Sequence, residues 1–103
     1  MKIIKVLSGK IKEEINDAKS YAKMAIEYKE DYPELSRTLY NLSTQEMEHM
    51  NLLHNEVTAI IRKYRETNGD PPVEMMAVYD YLHKEQIDMA AEVKVLQNMY
   101  KES

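Results

Sequence analysis

An all-α fold, an antiparallel bundle of three long helices, is what this sequence predicts. Three observations carry the prediction. Glycine and proline are scarce, two and three in 103 residues. The stretches between them are rich in Glu, Lys, Ala, Leu and Met, all good helix formers. Apolar residues recur at three- and four-residue intervals, and no run of strand period competes with them. One domain, 1–103, accounts for the length, because a chain of this size can close a single core.

Helix 1 is expected over about 9–31, beginning near Gly9. Asp31-Tyr32-Pro33-Glu34 reads as the start of helix 2, about 34–66, with Pro33 near the first helical position and Glu34 favoured by the helix dipole. Asn68-Gly69-Asp70-Pro71-Pro72 combines a stop and a start: Gly69 ends one helix, Asp70 caps the next and Pro71 fits its first turn. Helix 3 then runs over about 72–101. Rods of some 30 residues are about 45 Å long, so three of them make a slender bundle with a thin core. Such a shape buries a face against another copy, which predicts a homodimer or larger homo-oligomer. The eight methionines and eight tyrosines suit an adaptable packing surface.

Composition excludes several function classes. The absence of cysteine removes disulfides, thiolate metal sites and thiol catalysis. A net charge of −4 argues against nucleic acid or an anionic membrane as partner. Met1 to Leu7 begins like a signal peptide, but Lys5, Gly9 and Lys10 break the apolar stretch, and nothing approaches the ~18 apolar residues of a membrane span. A soluble, cytoplasmic protein is the expectation. No nucleophile–base constellation or glycine-rich phosphate loop is present.

Acids that interrupt apolar stripes are the informative feature. On a helical wheel, Leu35, Leu39, Leu42, Met50, Leu53, Val57, Ile60 and Tyr64 of helix 2 share one arc. Glu46 falls near its centre and His49 on its flank. In helix 1, Glu14 lies at the edge of the stripe Ile11, Ile15, Ala18, Ala22, Ala25. In helix 3, Glu85 and Glu92 fall within the arc of Val78, Leu82, Met89, Val93, Leu96 and Met99. A lone carboxylate in an apolar interior costs several kcal/mol or takes up a proton. A shared cation relieves that cost, and carboxylates with imidazole on facing helices suit iron or manganese. Glu46-Met47-Glu48-His49 by itself is weak, since 13 Glu and 3 His give roughly 0.4 such spacings by chance. Its place within the arc, matched by Glu14, is the stronger signal. His54 at the arc's rim and His83 outside the helix 3 arc read as surface or interface.

With those residues in view, the chain resembles the ferritin-like superfamily, most closely its rubrerythrin-type di-iron carboxylate branch. Glu14 is followed seven residues on by Tyr21, Glu46 and His49 lie 32 and 35 residues after Glu14, and Glu85-Gln86-Ile87-Asp88 approximates the family's Glu-x-x-Glu. The likeness spans about residues 10–100 and rests on spacing. The family's fourth helix, with a second Glu-x-x-His, has no counterpart, nor does its cysteine-bound iron domain, and the link between helices 2 and 3 is short for the usual crossover. The resemblance implies a di-iron, or manganese, site that oxidises ferrous iron with dioxygen or peroxide. Glu46 would bridge the metals, with Glu14 and His49 terminal. Either two copies pair, as in encapsulated ferritins, each giving Glu14, Glu46 and His49, or helix 3 completes a site within one chain through Glu85 or Glu92. Direct fold-back across Gly69 favours Glu92, whereas the family spacing favours Glu85. The competing expectation is a helical oligomerisation or adaptor module without metal, its inward acids lying in a solvated seam between protomers or paired with Lys and Tyr.

Overall fold

The computed structural model describes residues 2–103, which form three helices joined by two short links: α1 (Lys2–Glu27), α2 (Pro33–Asn68) and α3 (Val73–Glu102). The predicted three-helix architecture is present. α2 begins on Pro33, with Glu34 in its first turn. It ends at Gly69, whose φ of 77° turns the chain while its N–H donates to the Arg65 carbonyl (3.2 Å). A β-carbon would be strained at that φ, which is why glycine punctuates here.

Two boundaries differ from expectation. α1 starts at Lys2 rather than near Gly9, because Ile4, Ser8 and Ile11 continue one buried stripe through the glycine. It ends at Glu27 rather than near 31, and residues 28–31 form a turn. Asp70 does not cap α3. Pro72 occupies the cap position without a side-chain bond, and Asp70 lies 3.8 Å from Arg65 at the surface.

The helices run up, down and up. Ser36 against Ala25 and Ser43 against Ala18 set α2 antiparallel to α1. Lys12 against Glu85 and Lys19 against Glu92 set α3 parallel to α1. α1 packs along both partners, while α2 and α3 meet mainly through long side chains. Tyr40 stacks on Tyr100 (4.6 Å between centroids), His54 stacks on His83 (4.7 Å), and Gln97 donates to Ser43 Oγ (3.0 Å). The result is a rod of 56 × 18 × 18 Å.

The core comprises Ile4, Ile11, Ile15, Ala18, Ala22, Ala25, Leu39, Val57, Ile61 and Val93. Its composition explains a rotation of α2 relative to the predicted arc. Ala18, Ala22 and Ala25 are small, so α2 approaches closely enough for Ser36 and Ser43, both fully buried, to donate to α1 carbonyls. Leu35, expected inside, is displaced to the flank and is 46% exposed. α3 is rotated as well. Gln86, buried and donating to the Ser8 carbonyl (3.1 Å), takes the inner position with Val93, whereas Val78 and Met99 are exposed. Among the described residues, no helix is long and apolar enough to cross a membrane.

Candidate metal centre

Antiparallel pairing of α1 with α2 places Glu14 opposite Glu46, midway along the rod, and the i, i+3 spacing on α2 brings His49 to the same side. One ligand atom from each of Glu14, Glu46 and His49 lies within 4.8 Å of the others, and among the described residues this is the one such group. His49 Nδ1 stands 3.7 Å from Glu14 Oε2 and 3.8 Å from Glu46 Oε1. Those separations are too long for hydrogen bonds. Two donors on a single transition metal lie at most about 4.4 Å apart, twice a bond of about 2.2 Å. The two His49 separations fall inside that limit.

The electrostatics are those of an anionic site held by a proton. The carboxyl–carboxylate hydrogen bond with Glu14, aided by burial and by the Glu14 charge, pushes Glu46 up to about 7, against a smaller opposing pull from His49. The Glu14 and Glu46 side chains are four-fifths buried, and among the described residues their ion pairs are those with His49. His49 itself is 55% exposed, so the site opens on the flank of the α1–α2 pair.

Glu85 and Glu92 stand elsewhere. Glu85 pairs with Lys12 (3.2 Å) and Glu92 with Lys19 (2.8 Å), both across the α1–α3 seam. Glu92 is exposed, and the Lys19 ammonium holds its carboxyl below the usual range. The antiparallel register does set Glu92 level with Glu46, as direct fold-back required, but the rotation of α3 turns it towards α1. Neither acid belongs to the three-residue group.

His54 and His83, expected at the surface or an interface, stack on each other between α2 and α3, with Tyr79 next in line, 5.6 Å from His83. The two lie on separate helices, and only the α2–α3 register could have paired them in advance. Burial, then the neighbouring His83, lowers the His54 pKa. Glu56 is exposed and Tyr21 half-buried, and neither is part of the group.

No family model, curated protein or solved structure matches this chain.

Proposed function

We propose that Glu14, Glu46 and His49 form half of a transition-metal centre, completed by the same residues of a second copy. The convergence of their ligand atoms within 4.8 Å is the observation that carries this reading. Two carboxylates and one imidazole per chain become four and two in a dimer, the donor set of a carboxylate-bridged di-iron or di-manganese site. The surrounding surface supports such a pairing. Leu35 and Leu42 precede His49, and Leu53 and Ile60 follow Glu46, at seven-residue intervals on one side of α2. These four leucine and isoleucine side chains are half-buried or exposed in the single chain.

On this reading the chain is a ferritin-like, cytoplasmic metal protein, and iron at the centre supplies oxidation of ferrous ions with dioxygen or peroxide as oxidant. The protein's own part is to present the ligands at fixed separation on two rigid helices. Glu46, at the centre of the set, gives up its proton when a cation takes that place.

A second reading is favoured by one observation: Glu85 and Glu92 are already paired with lysines, as in a metal-free helical interaction module. Glu46→Leu separates the two. For a metal centre, manganese or anaerobic ferrous iron raises the melting temperature of the native chain, by about 2.7 kcal/mol of stability at a hundredfold excess over Kd, and the variant loses that gain. For a module, metal leaves both chains unchanged, and Leu is neutral or stabilising because an unfavourable buried carboxyl has gone.

A further inference from the structure

α3 is apolar on two sides. Its inner side, Gln86 and Val93, is buried. Its outer side exposes Val73 (81%), Tyr81 (69%), Val95 and Met99, together with Ala77, Lys84, Asp88 and Ala91. Ala77, Tyr81, Lys84, Asp88, Ala91 and Val95 follow one another at intervals alternating between four and three, the spacing of a helix-pairing seam. The solvent face of a surface helix is normally polar. Here Lys84 and Asp88 stand at the middle of the stripe with apolar side chains on either side of them, and the exposed Glu74, Asp80, Glu92 and Lys94 run along its margins.

The order of residues along that stripe is self-complementary. When a second α3 runs antiparallel about a two-fold axis level with Gln86, Lys84 meets the partner's Asp88 and Tyr81 meets the partner's Ala91. Ala77 meets the partner's Val95, and at the two ends of the seam Glu74 meets the partner's Asn98. Opposite charges pair twice, and the bulky Tyr81 and Val95 each lie against an alanine. Parallel pairing would instead set Lys84 on Lys84, Asp88 on Asp88 and Tyr81 on Tyr81, which charge and volume both oppose. We propose that the outer face of α3 is a self-association surface on which a second copy of this chain docks antiparallel.

The contact uses none of Glu14, Glu46 or His49, so it stands independently of the metal centre. A chain carrying both two-fold faces assembles beyond a dimer.

Native mass over a dilution series, recorded with chelator and with metal, tests the proposal. Lys84→Glu or Asp88→Lys alone sets like charges opposite one another twice per interface and should halve the mass. The two substitutions combined should restore it. Lys84 and Asp88 also share a helix face four residues apart, so mass rather than stability is the readout. The natural absence of cysteine supplies a second measurement that leaves the charges intact. Chains carrying Tyr81→Cys should cross-link on mild oxidation with chains carrying Ala91→Cys, and neither population with itself. An unchanged mass in the single variants, failure of the double variant to recover, or cross-linking of Tyr81→Cys chains among themselves would overturn the antiparallel contact.

Discussion

In the metal-free chain Glu46 keeps its proton up to about pH 7, because Glu14 and burial both penalise its charge. The sign of the consequence follows from linkage. Between the ordinary value of 4.5 and about 7 the folded state binds more protons than the unfolded state, so the contribution of Glu46 is complete below 4.5 and is lost as pH rises through 7. His54 acts the other way. Its lowered pKa means that the folded state resists protonation, so its contribution is present above 6.5 and is lost as pH falls. Denaturant titrations of chelated protein between pH 5 and 8 should therefore show Glu46→Gln abolishing the loss on the alkaline side, with His54→Asn relieving the loss on the acid side. Identical pH profiles for Glu46→Gln and the native chain would contradict the Glu14–Glu46 coupling. The cluster was legible in the sequence because i, i+3 spacing and hairpin register are local geometry. Glu14 and Glu46 needed only the α1–α2 turn to be placed opposite each other. Glu85 and Glu92 were not legible, since the rotation of α3 is decided by Gln86 reaching the Ser8 carbonyl and by Lys12 and Lys19, polar contacts to which a hydrophobic wheel is blind.

At the scale of elements, the two glycines have opposite roles despite equal prominence in the sequence. Gly9 lies within α1 with nothing within 4 Å of an added β-carbon, so Gly9→Ala should stabilise the fold by about 0.5–1 kcal/mol. Gly69 has positive φ, and Gly69→Ala should destabilise by about 1–2 kcal/mol despite equally open space. Thermal melts of the two variants should shift in opposite directions; shifts of the same sign would mean that one backbone assignment is wrong. Gly69 was readable as punctuation because Asn68 and two prolines surround it. Gly9 was misread as a boundary because a glycine signals a break only where the buried stripe stops as well, and here Ile4, Ser8 and Ile11 carry it through. Ser43 shows what apolar periodicity misses. It is fully buried, donates to the Ala18 carbonyl at 2.7 Å and accepts from Gln97. Ser43→Ala removes both bonds and should cost about 1–2 kcal/mol, measurable by denaturant unfolding, with a neutral result excluding those bonds. The signal for it was available in the small residues Ala18, Ala22 and Ala25, which admit a close helix and call for small, hydrogen-bonding side chains opposite.

As a whole molecule the chain is a thin rod, and most of its large apolar residues are only partly covered. Three helices pairing through α1 leave two long faces, the α1–α2 flank around His49 and the outer side of α3, each with exposed apolar side chains among its charges. A slender bundle of this kind was foreseeable from helix length alone, since 36 residues of α2 already span most of the 56 Å. Which faces would remain open was not foreseeable, because it depends on how far each helix rotates about its own axis to satisfy serine, glutamine and lysine contacts. Metal content per chain, determined by elemental analysis of untagged protein alongside native mass, tests the metal centre most directly. One iron or manganese per chain in an even-numbered assembly, absent from both Glu14→Ala and Glu46→Ala, is the predicted result. No uptake on anaerobic ferrous titration, or full metal content in Glu46→Ala, would contradict it.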